Sequence, residues 1–128
     1  IILCTRIARE KFSVSPEREK AFDMVRQFYV LVDNHFKEKK MVQDYADMLH
    51  RSPKTLSNLF TTCGLPSPLR IIHERIEAEA KRLLLYSQKS AKEITEILGF
   101  EDQATFSRFF KKMTGESVSE YRKREKRE

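Results

Sequence analysis

The residues best equipped for chemistry lie between Gln103 and Lys112, in the run QATFSRFFKK. Gln103 can donate and accept hydrogen bonds together, which matches the edge of adenine in a DNA major groove. Arg108 ends in a planar fork of donors, which matches guanine, and Ala104 and Thr105 bring methyl groups that fit thymine. Lys111 and Lys112 add positive charge suited to phosphate, a contact that positions without reading sequence. On a helix, these six side chains fall opposite Phe106, Phe109, Phe110 and Met113. One face is apolar and the other polar and basic.

The stretch that must position them is Ser90–Arg122. Ser90 precedes Glu93 by three residues and Ser117 precedes Glu120 by three, and both pairs fit a capping box. Asp102 is placed to cap the segment between them. Ile94, Ile97 and Leu98 form one apolar face, Gly99 turns the chain, and Phe100 points to the core. A short helix, a tight turn and a second helix with a polar outer face make a helix-turn-helix. In nucleic-acid-binding versions the second helix enters the major groove.

The pattern occurs twice. Thr55-Leu56-Ser57-Asn58-Leu59-Phe60 matches Thr105-Phe106-Ser107-Arg108-Phe109-Phe110 at an offset of 50. Ser67 falls on Ser117 at the same offset, and Asp44–Leu49 falls on Glu93–Leu98 with one residue gapped. The first copy places Lys54, Ser57 and Asn58 on its outer face, with Arg51, Thr55 and Thr61 as phosphate candidates. In the second copy the phosphate candidates are Lys111, Lys112 and Arg122. The expected reading helices span about residues 53–63 and 102–113.

A long helix from Ser67-Pro68 to about Tyr86 joins the two copies, with Leu69, Ile72, Ile76, Ala80, Leu83 and Leu84 as its apolar stripe. Its length, roughly 28 Å at ~1.5 Å per residue, is of the order that sets two reading helices in successive major grooves. Glu74, Glu77 and Glu79 alternate with Arg75, Lys81 and Arg82 and read as a solvated face with helical ion pairs. Upstream, Ser15-Pro16-Glu17 opens a helix to about Lys37 with a core stripe from Ala21 to Phe36. Ile1–Phe12 reads as an apolar helix end able to meet a partner or a second copy.

Composition narrows the function classes. The 128 residues suffice for one ordinary domain. Three Gly and four Pro leave little room for long loops, and the net charge of +6 favours an anionic partner. No apolar run approaches the ~18 residues of a membrane span. There is no phosphate-cradling Gly loop and no nucleophile–base pair. His35, His50 and His73 have no mutual ligand spacing, and Cys4 and Cys63 form neither a metal motif nor a disulfide framework. The expectation is therefore a non-enzymic, cytoplasmic protein without metal or cofactor.

The motif set resembles the DNA-binding region of the AraC family of bacterial transcription regulators. The residues that carry the resemblance are Ile94, Leu98-Gly99-Phe100, Phe106 to Lys112, Gly115 and Tyr121-Arg122. Tyr45-Ala46, Leu49, Ser52-Pro53, Leu56-Ser57, Leu59-Phe60, Arg75-Ile76, Ala80-Lys81 and Leu83-Leu84 support it. Several positions depart from the pattern: Thr95 for Ala, Val118 for Pro, Met41 at a cap, Thr61-Thr62 for a basic pair, and Gly64 one place early.

The resemblance implies an all-α fold: two homeodomain-like helix-turn-helix subdomains joined by a long central helix, about seven helices plus an N-terminal helical extension. The expected divisions are 1–15 as the tail of a sensing domain or linker, 16–86 as the first subdomain with its linker helix, and 87–128 as the second. It further implies sequence-specific binding of double-stranded DNA, with RNA polymerase and a second copy of the chain as further partners. The alternative is a helical protein-interaction module using the apolar N-terminal segment.

Overall fold

The computed structural model describes residues 16–126. The expectations for Ile1–Phe12 and Cys4 lie outside that range. Among the described residues there are seven helices and no strand: α1 (Pro16–His35), α2 (Val42–Met48), α3 (Pro53–Thr62), α4 (Pro68–Tyr86), α5 (Ala91–Ile97), α6 (Gln103–Thr114) and α7 (Val118–Lys126). The chain forms two compact units, one up to His73 and one from Glu74 on, so the division falls within α4.

In the first unit, α1, α2 and α3 pack against one another. Phe28 is the hub. Its ring meets Tyr45 at 5.5 Å and Phe60 edge-on at 5.0 Å, geometries that aromatic pairs favour over face-to-face stacking. Phe28, Tyr45, Leu56 and Phe60 are fully buried. The Tyr45 hydroxyl is not stranded, because it donates to the Lys39 carbonyl at 2.6 Å. This bond ties α2 to the turn that follows α1.

In the second unit, α6 packs on α5 and α7. Phe106 and Phe110 are fully buried, and Phe110 meets Tyr121 of α7 at 5.4 Å. Phe100 is half-buried and sits 5.4 Å from both Phe106 and Phe109. Thr95, the departure from Ala, is buried within α5, and its hydroxyl donates to the Ala91 carbonyl at 2.7 Å. That back-bond satisfies the extra polar atom. Val118 stands at the first position of α7 and is also buried.

The expected caps form. Ser90 with Glu93 makes a reciprocal capping box, Ser117 with Glu120 makes the same pair of bonds, and Asp102 accepts from the Thr105 amide. Met41 precedes α2 with no side-chain cap bond.

Two expectations about α4 need correction. Leu69 is exposed, and Ile71 is buried in its place. The buried stripe runs through Pro68, Ile71, Ile72, Ile76, Glu79, Ala80, Leu83 and Leu84; Leu69 lies only about 20° from Ile76 around the helix, so its exposure follows from its place in the first turn rather than from its angle. Glu79 is not on a solvated face, since it is only 8% exposed. Its carboxylate takes two bonds from Arg82, at 2.7 and 2.8 Å, the paired geometry that a guanidinium fork provides.

Candidate nucleic-acid interface

Each unit presents the outer face of its second short helix to solvent, and each does so by the same construction. In the first, Ser52 caps α3 through the Thr55 amide at 3.1 Å and Pro53 takes the first helical position, where its missing N–H costs nothing. In the second, Asp102 caps α6 through the Thr105 amide at 2.8 Å. Leu56 and Phe60 bury one side of α3, and Phe106 and Phe110 bury the same side of α6. Fixing those two anchors per helix decides which side chains face outward.

The exposed set matches most of the expected readers. Lys54, Ser57 and Asn58 on α3 are exposed, as are Gln103, Ala104 and Arg108 on α6. Thr105 is half-buried. Its hydroxyl lies 3.4 Å from the Arg108 Nη2, which donates to it. The phosphate candidates Arg51, Thr55, Thr61, Lys111 and Lys112 are exposed too.

Some of these side chains already have partners within the chain. Thr55 shares a 2.9 Å hydroxyl–hydroxyl bond with Ser52. The Thr61 hydroxyl gives its proton to the Ser57 carbonyl, and Thr62 does the same to Asn58, both at 2.9 Å. With their protons so engaged, the Thr61 and Thr62 hydroxyls turn only lone pairs outward. Arg122 stands apart from the outer face. Its Nε donates to the Leu84 carbonyl at 3.0 Å and its Nη2 to the Ser87 carbonyl at 3.5 Å. It therefore caps the C-terminal end of α4, where carbonyls lack helical partners and positive charge is favoured.

Charge differs between the two reading helices. The last turn of α6 carries Lys111 and Lys112, whereas the last turn of α3 carries no basic residue. Gly64, one place early, ends α3 after 10 residues, against 12 in α6. The Asp102 carboxylate is held below the usual carboxylate range chiefly by the hydrogen bond from the Thr105 amide, with Arg108 adding attraction. Asp102 read in the sequence only as a cap. The step of three from Thr105 to Arg108 was the available sign that those two side chains are neighbours on the helix.

Among the described residues no cluster of His, Cys, Asp or Glu could hold a metal ion. No helix there is long and apolar enough to cross a membrane.

Comparison with known proteins matches this geometry. The helix-turn-helix domain family matches residues 45–124. An uncharacterized HTH-type transcriptional regulator of Bacillus subtilis, YisR, is 30% identical over 122 residues, covering 94% of this chain and 41% of the relative. The arabinose operon regulatory protein of Salmonella typhimurium is 36% identical over 92 residues, covering 72% of this chain and 31% of the relative. Among solved structures, the C-terminal domain of AraT, a response regulator from Geobacillus stearothermophilus, superposes with a TM-score of 0.70 at 29% identity, covering 78% of this chain and 84% of that one. The chain spans less than half the length of the curated relatives it matches. Two successive helix-turn-helix units with a shared plan, the family match and the structural likeness agree: the chain belongs to the AraC family of transcription regulators and corresponds to their C-terminal, DNA-binding region.

Proposed function

We propose that this chain binds duplex DNA sequence-specifically by setting the outer faces of α3 and α6 into successive major grooves. The observation that carries the reading is the shared construction of the two helices: the same cap position, the same buried anchors and the same outward register at an offset of 50. Gln103, Ala104 and Arg108 read bases in the second unit, and Lys54, Ser57 and Asn58 do so in the first. Arg51, Lys111 and Lys112 hold phosphates, which fixes register and supplies affinity for any sequence. With the end of α3 free of basic residues, the second unit supplies more of the phosphate affinity.

The division of the whole protein follows the same reading. Residues 1–15 are the tail of a sensing domain or a linker, 16–86 form the first subdomain with its linker helix, and 87–128 form the second. The assembly works in the cytoplasm without catalysing a reaction. RNA polymerase and a second copy of the protein are its further partners. The test is the salt dependence of binding to labelled duplex DNA. Neutralising several phosphates releases counterions, so affinity falls steeply as salt rises. Affinity that stayed flat with salt would favour the apolar interaction module instead.

A further inference from the structure

We propose that the groove between α1 and α2 is a docking surface for Ile1–Phe12 of the same chain, which folds back along α1 and covers it. The inference stands apart from the DNA reading, and its failure would leave that reading untouched.

The groove lies wholly within the first unit. Its apolar lining is continuous: Leu31 and Met48 are half-buried, Leu49 is buried, and Val30 on the rim is 57% exposed. Asp23, Gln27 and Leu49 also line a second groove, which reaches Lys20 and Met24. The two therefore form one trough along α1 from Lys20 to Leu31. It runs beside the core stripe of α1, whose buried members are Val25, Phe28, Val32 and Phe36. Apolar side chains joined into a trough, rather than scattered singly, mark a contact surface.

Position favours the chain's own segment as occupant. Only Ser13-Val14-Ser15 separates Phe12 from the first residue of α1. Connections of that length join antiparallel helices. On so short a tether the segment is held at an effective concentration on the order of millimolar. At micromolar protein it then outcompetes the same segment of a second copy.

Pattern, length and charge fit as well. Leu3 and Ile7, and likewise Cys4, Ala8 and Phe12, recur at steps of four, which makes one apolar helical face. A helix over Ile1–Phe12 would span roughly 16 Å, and the trough from Lys20 to Leu31 spans about as much. An antiparallel register centred on Val14 sets Lys11 beside Glu17, Glu10 beside Arg18 and Arg9 beside Glu19. Each of these pairs is opposite in sign, and the three α1 members are exposed. Docked in this way, the segment sends any chain preceding it toward the C-terminal end of α1.

The test is methyl NMR on the full 128-residue chain, diluted until sedimentation shows a monomer. Contacts are expected from the Leu3 and Ile7 methyls to those of Met24, Leu31 and Met48. Two substitutions probe the two sides. Ile7→Glu puts charge on the segment face. Val30→Glu puts it on the exposed rim, where folding of the unit is not at stake. Either should remove the contacts and speed amide exchange across Leu3–Lys11 on the order of tenfold, with the Phe28 and Tyr45 signals unmoved. The inference is overturned if no contact joins segment and groove, or if neither substitution changes the exchange. It is equally overturned if contacts arise only between differently labelled copies and vanish on dilution, since the occupant is then a second chain.

Discussion

His50 and Gly99 turn the chain at the same point of the two units, both in the left-handed region, with φ of 57° and 77°. The hydrogen bonds around them are the same pair. The His50 amide donates to Asp47 and the Arg51 amide to Ala46, while the Gly99 amide donates to Glu96 and the Phe100 amide to Thr95. These are the bonds of a Schellman helix end. Glycine adopts that conformation freely, whereas a side chain crowds the backbone there.

His50→Gly should therefore stabilise the first unit, by about 0.5–1 kcal/mol after the extra freedom of the unfolded glycine is counted. Gly99→Ala should destabilise the second by about 1 kcal/mol. Thermal or urea unfolding of the two variants checks both signs.

Acid should weaken the second unit before the first. Glu93, Asp102 and Glu120 are held below the usual carboxylate range chiefly by the backbone bonds of their helix starts, and Glu116 by its bonds from Arg124. All four belong to the second unit. A depressed folded pKa means stabilisation that is complete above the unfolded value and is lost as pH falls through the folded one. Amide-resolved NMR spectra recorded from pH 6 down to 2 should show α5, α6 and α7 losing dispersion ahead of α1, α2 and α3. Simultaneous loss would mean the caps do not set the acid limit.

The alkaline limit should lie in the first unit. Burial, with the nearby Asp44 and Glu38 charges, pushes the Tyr45 phenol up to about 12. Stability is then full below the unfolded phenol value of ~10 and falls as pH rises from there toward the folded one. Tyr45→Phe should remove this alkaline loss. It should also cost about 1–2 kcal/mol at neutral pH, because the Lys39 carbonyl loses its donor. Unfolding curves at pH 7 and pH 11 measure both effects.

Much of this was legible in the sequence, and the reasons are local. Ser90, Asp102 and Ser117 announced their caps because such bonds close within three residues. The repeat disclosed the second copy, and apolar spacing disclosed the buried anchors Leu56, Phe60, Phe106 and Phe110. What escaped depends on tertiary position or on breaking a local rule. His50 lacks the glycine that marks a left-handed turn, although the gapped repeat sets it on Gly99. Glu79 carries a charge on a buried stripe. Arg122 looks like a surface cation until α7 brings it to the end of α4, 38 residues back along the chain.

Reading and holding should separate by substitution. Arg108→Ala should cost ~1–3 kcal/mol on the best site and relax preference at one or two base pairs. Lys112→Ala should weaken all sequences alike and lower the salt slope by about 1. Titrations of specific and random duplexes over a range of salt distinguish them. Equal losses on every sequence from both would contradict the division into readers and phosphate contacts.

The most direct measurement is selection of this chain's preferred sequences from a random duplex library at moderate salt. Two short enriched blocks about one helical turn (~10 bp) apart are expected if α3 and α6 read successive major grooves. Absence of any enriched sequence would contradict the account.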